Sequence, residues 1–131
     1  MSADNIIREA MKKVPKAVAA GLVDLSTGML VSIQTVDSHP QQVIDLLAAA
    51  TKDLFEGDQV IQIETMFKKI RGVDTKDHYF QEILVSSTHL WHYFGRLHAN
   101  PSMVLTIVCR GDVNIGMMIM QARDLATKGT I

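Results

Sequence analysis

A chain of 131 residues fits one domain on the usual scale of ~100–200 residues per domain, so residues 1–131 are read as a single unit. Thirteen Lys and Arg against fourteen Asp and Glu leave a net charge of −1, with no basic excess to draw in nucleic acid or anionic lipid. With 47% hydrophobic and 21% charged residues the chain is not disordered, and its single cysteine, Cys109, excludes a disulfide framework or a thiolate-rich zinc site.

The first segment carries Asp4, Arg8, Glu9, Lys12 and Lys13, so it has no apolar signal-peptide core. Ile7, Ala10, Met11 and Val14 fall at i, i+3, i+4 and i+7, the stripe of an amphipathic helix that Pro15 stops. Two strands are expected next, Ala17–Asp24 and Met29–Val36. The small residues Ala17, Ala19 and Gly21 leave room for a helix close against the first of them. Leu25-Ser26-Thr27-Gly28 reads as the hairpin loop between them, with Gly28 supplying a positive φ. The longest apolar run, Ala17–Val23, is far shorter than the ~20 residues of a membrane helix. A cytoplasmic chain without membrane insertion is therefore expected.

Ser38 and Gln41 have capping-box spacing at the start of a second helix, with Pro40 in its first turn. On a helical wheel, Gln41–Phe55 shows two adjacent apolar stripes. One is Val43, Leu46, Leu47, Ala50 and Leu54; the other is Ile44, Ala48, Thr51 and Phe55. Together they span roughly 200°, about twice the arc that packing on one surface needs. The helix is expected to bury two faces.

Gly57-Asp58 breaks that helix. Asp58 is the expected cap of a further helical stretch containing Val60, Ile63, Met66, Phe67 and Ile70, and Arg71–Lys76 is a loop. Three strands follow, Tyr79–Ser86, Leu90–His98 and Met103–Arg110, the last two joined by the turn Asn100-Pro101-Ser102. The nearly continuous apolar run Met103–Cys109 marks the central strand. Asp112 is the expected cap of a closing helix, Val113–Ala126, with the core stripe Ile115, Met118, Ile119, Ala122, Leu125 and Ala126. The order α-β-β-α-β-β-β-α describes an α+β domain, a five-stranded antiparallel sheet with helices on its faces.

No enzyme signature emerges. His89, His92 and His98 share no strand geometry that would gather them around a metal, and they read as solvent-face or interface histidines. Cys109 reads as a buried inert thiol. Gly111-Asp112 precedes a helix, but no phosphate-binding glycine motif is present. Glu64, Asp74, Asp77 and Glu82 read as solvated charges, and Lys68-Lys69-Arg71 as a short basic patch on a wet face. Met117 and Met120 lie off the core stripe of the last helix, either packing on the first helix or meeting a partner. Neither a cofactor nor a metal is expected. Mean hydropathy of +0.14 with eight methionines leaves more apolar surface than a domain burying about 70% of its chain can hide. Self-association follows.

Three stretches together resemble the Roadblock family of dynein light chains, bacterial MglB-type proteins and their relatives. They are Val14–Asp24 running on to Gly28-Met29-Leu30-Val31, the Ala-rich helix around Leu46–Ala50, and Leu90–Phe94 through Val104–Val108 to Asp112–Gly116. The resemblance covers nearly the whole chain and departs at Glu56–Lys76, longer than the family's usual link into the third strand. It implies homodimers or like-with-like heterodimers whose third strands pair edge to edge into one ten-stranded sheet, with central helices packed antiparallel across it. It also implies a non-catalytic module that regulates, or serves as scaffold for, a small Ras-like GTPase. Ile44, Ala48, Thr51, Phe55, Phe80 and Leu84 are the expected dimer or partner interface. The same element order also suits a PAS- or profilin-like sensor of a small ligand, although aromatic residues are only 5%.

Overall fold

The computed structural model describes residues 2–37 and 41–131. The capping box expected of Ser38 and Gln41, and Pro40 beside it, lie outside the described side chains. Among the described residues the chain runs α1 (Ala3–Lys13), β1 (Ala17–Asp24), β2 (Met29–Thr35), α2 (Gln41–Glu56), α3 (Asp58–Arg71), β3 (Glu82–Ser86), β4 (Leu90–Arg96), β5 (Met103–Arg110) and α4 (Ile115–Lys128). The five strands form one open antiparallel sheet in the order β2-β1-β5-β4-β3. The fold class is therefore the α+β arrangement expected, with β5 at the centre and β2 and β3 at the edges.

Local chemistry sets the boundaries. Ser2 caps α1 by accepting from the Asn5 N–H, and Val14, extended ahead of Pro15, ends it. Gly28 turns the first hairpin at φ 71°. The β1–β2 register slips between Leu22 and Val23, and this bulge puts Leu30 and Ile33 on the same face of the sheet. The alternation expected across β2 is broken there.

The two faces are covered unequally. On one, α1 and α4 close over Ala20, Leu22, Tyr93, Leu105, Ile107 and Cys109 in a continuous buried core. The core stripe read for the last helix is seated there, with Met118, Ala122, Leu125 and Ala126 buried. On the other face α2 brings Ala48 and Phe55 onto Val23, Leu25 and Val104, a smaller cluster flanked by Leu30, Ile83 and Phe94.

Several expectations are corrected. β3 begins at Glu82, three residues later than read, because the Phe80 carbonyl accepts from Arg96 Nε (2.6 Å) and the preceding segment turns away. His98 follows β4, which ends at Arg96. The cap of the last helix is Asn114, whose side chain accepts from the Met117 N–H, while Asp112, in the β5–α4 turn, pairs with Lys16 just ahead of β1. Gly57 and not Asp58 holds the cap position of α3, without a side-chain bond.

Candidate functional site

The outward face of α2 is the first exposed apolar surface. Its Ile44–Phe55 stripe turns inward: Ala48, Thr51 and Phe55 are buried under the helix and Ile44 is half-buried. Thr51 meets its own need for a partner by donating to the Leu47 carbonyl (2.8 Å). The exposed face is therefore the other stripe, Val43, Leu46, Leu47, Ala50 and Leu54, with Leu46 70% exposed. Three of the six residues expected at an interface are thus enclosed in the chain's own core. Phe80, in the segment before β3, and Leu84, on β3, remain exposed.

Beside α2 lies a groove of about 950 Å³, lined by Ala19, Ile44, Leu47, His92, Phe94 and Val108 among others. The small residues of β1 form part of its floor. A helix does cover this face over Ala19 and Gly21, but the irregularity between Ala17 and Ala19 turns Ala17, expected beside them, toward the α1–α4 core. His92 lines the groove parallel to the Phe94 ring (6.4 Å). Burial pushes its imidazole below the ordinary value, which favours the neutral form.

At the opposite end of the same face sits a charged cluster that sequence reasoning missed. Glu64, read as a solvated charge, is only 4% exposed and its Oε2 is 2.9 Å from His78 Nδ1. The other ring nitrogen of His78 is 3.9 Å from Glu56 Oε1. Arg96 completes the cluster. Its guanidinium donates to the Phe80 and Pro101 carbonyls and lies 5.1 Å from the centre of the Phe55 ring. Burial pushes Arg96 down from its ordinary value, while the carboxylates of Glu56 and Glu64 oppose that shift. The cluster ties α2, α3 and the 72–81 segment to the end of β4. Only the buried position of Glu64 on α3 could have announced it, and that requires the fold.

Glu82, also read as solvated, joins edge strand β3 to the closed face. It accepts two-pronged hydrogen bonds from Arg123 and one from Tyr93 Oη (2.7 Å). The Arg123 bonds hold its carboxyl below the ordinary range despite partial burial. Tyr93 reaches Glu82 across Gly95, where a Cβ would collide with the ring. Burial, then Glu82, pushes the Tyr93 hydroxyl far up.

Cys109 is fully buried, and that burial pushes its thiol up to about 11. A thiol held that high does not present a nucleophile at neutral pH. Met117 and Met120 stand exposed on α4. Among the described residues no three His, Cys, Asp or Glu converge on a metal position, and no helix is long and apolar enough to cross a membrane. The arrangement offers surfaces for other chains: an apolar helix face, an open groove and the unpaired edge of β3.

No protein-family model and no curated protein matches the sequence. The fold does have solved counterparts. An MglB with a tetrameric arrangement superposes at TM-score 0.66 with 15% identity, over 93% of this chain and 80% of that one. The gliding protein MglB from Thermus thermophilus gives 0.66 and 15% over 93% and 81%. A Roadblock/LC7 domain from Streptomyces avermitilis gives 0.65 and 16% over 96% and 92%. With most of both chains covered in each comparison, and the five-stranded sheet described above, this chain has the Roadblock/MglB-like fold.

Proposed function

We propose that this protein is a non-catalytic homodimeric interaction module that regulates a small Ras-like GTPase or serves as its scaffold. The observation that carries the reading is the exposed Val43–Leu54 stripe of α2, together with β3 at an open edge of the sheet. Exposed apolar faces of that size mark association surfaces, and an unpaired strand edge is a ready template for pairing. A two-fold contact brings the same patch against itself. The similarity to an MglB with a tetrameric arrangement supports self-association, and the similarity to gliding protein MglB supports a regulatory role. A small GTPase as client comes from the family resemblance. In that role the dimer reorients groups of the GTPase and need not supply an arginine of its own.

Light scattering over a hundredfold concentration range tests the first half. A stable mass of twice the 14.5 kDa chain is expected, and a clean monomer overturns it. Capture of a small GTPase from cell extract by the immobilised protein, with its hydrolysis rate measured alone and with the dimer, tests the second half. If no GTPase is retained, the client is of another kind.

A further inference from the structure

Helix α3 turns its one internal carboxylate inward and an apolar stripe outward. Glu64 is buried and Val60 and Lys68 are half-buried, whereas Ile63, Met66, Phe67 and Ile70 are exposed, Ile70 to 76%. These four fall at i, i+3, i+4 and i+7, the spacing by which a helix seats in an apolar groove. Glu64 is the only carboxylate between Asp58 and Asp74. Since it is turned onto His78, the outward face of the helix carries no negative charge that burial would strand.

A groove of matching character lies on the same chain. It runs beneath α2 from Val23 and Leu54 to Leu90 and His92. α3 is anchored beside Arg96, through Glu64 to His78 and through the edge-on contact of Phe67 with Tyr79 (5.3 Å). The seven residues of β4 set the Leu90–His92 end of the groove roughly 20 Å from that anchor. A two-fold axis perpendicular to the sheet at the β3 edge keeps both α2 faces on one side. It also exchanges the two ends of the sheet. It therefore carries the α3 of one copy to the Leu90–His92 end of the other's groove.

We infer that the Ile63–Ile70 stripe of α3 seats in the groove between α2 and the sheet of a second copy, reciprocally, so that each chain completes the open face of its mate. This rests on the edge-to-edge dimer proposed above. The size of a stable interface points the same way, since about 20–30 residues a side are usual. β3 offers five and the outward stripe of α2 a similar number. The α3 stripe and the groove lining are the apolar surface that brings the interface into that range.

The test mixes chains carrying Ile70→Cys with chains carrying His92→Cys under mild oxidation. A disulfide-linked mixed dimer is expected, in clear excess over a control pairing of Ile70→Cys with Gln34→Cys on the far edge. Cys109 is buried and does not compete. In parallel, Ile70→Asp and Met66→Asp each raise the dimer dissociation constant at least tenfold by light scattering, with far-UV circular dichroism unchanged. A dimer that forms no 70–92 disulfide and is indifferent to both Asp variants overturns the seating and leaves the edge dimer standing. Monomers at every concentration overturn both. A small molecule carried in the groove, seen as added mass on the native protein, also overturns the seating. So does binding of wild-type chain to anionic vesicles that Ile70→Asp abolishes at constant dimer affinity.

Discussion

The two faces of the sheet are built to different standards. Under α1 and α4 the buried residues form one unbroken core from Ile6 to Ala126, whereas under α2 a cluster of five buried residues gives way to an open groove. The difference lies in which residues the strands offer. Toward α1 and α4, β1 and β5 present Leu22, Leu105 and Ile107, bulky enough to meet two helices. Toward α2, β1 presents Ala19 and Gly21 ahead of Val23, and at Gly21 even an added Cβ would crowd Thr106 and Leu30. A face floored by small residues under a single helix cannot reach the close packing of a protein interior. The closed face carries the stability of the chain, and the open one is available for association.

Perturbations should separate the faces in a definite order. Leu22→Ala, on the closed face, is expected to cost about 2–5 kcal/mol in denaturant unfolding, because the enclosed site cannot collapse around the cavity. A loss below about 1 kcal/mol would mean that the closed face is no tighter than the open one. Arg96→Met strikes the charged corner of the open face. It leaves the Phe80 and Pro101 carbonyls unpaired beside two carboxylates, and about 3 kcal/mol is expected. Hydrogen exchange should then show α3 and the 72–81 segment opening before the sheet; simultaneous opening would show that the corner is not a separate unit.

Glu82→Gln loosens the tie between the β3 edge and α4 and should cost about 1–2 kcal/mol at pH 7. Glu82 has a folded value below its unfolded one. Its contribution is therefore complete above the unfolded carboxylate range and is lost as pH falls through the folded value. The variant should lack that acid-side loss in pH-dependent unfolding, and an unchanged profile would assign it elsewhere. Leu46→Ser, on the most exposed turn of α2, should leave the monomer within about 0.5 kcal/mol while weakening the dimer about tenfold. An unchanged dimer would remove α2 from the interface.

Much of the fold was legible along the chain. The i, i+3, i+4, i+7 stripe of α1, the unbroken apolar run of β5 and the stripe of α4 each record contacts among residues three or four apart, or burial on both sides, and periodicity reports both. Pro15 and Gly28 marked a helix end and a turn because their backbone preferences act locally. The candidate site was legible only in part. Two apolar stripes on α2 give the expectation of two buried faces, of which the chain itself buries one, and nothing in a helical wheel says which stripe its own sheet takes. That choice is made by Val23, Leu25 and Val104 receiving Phe55, residues far apart in sequence.

Glu64 shows the same limit more sharply. By composition it belongs with the solvated charges, and by periodicity it sits among apolar neighbours that would be expected to face inward. The fold reverses both expectations, because His78 arrives from the approach to β3 to bond one oxygen of the buried carboxylate, and Arg96 at the end of β4 brings a positive charge near it. The sequence by itself determined the elements, their order and the surplus of apolar surface. Which surfaces stay open was decided by long-range pairing, since burial of a side chain depends on what the rest of the chain brings to meet it.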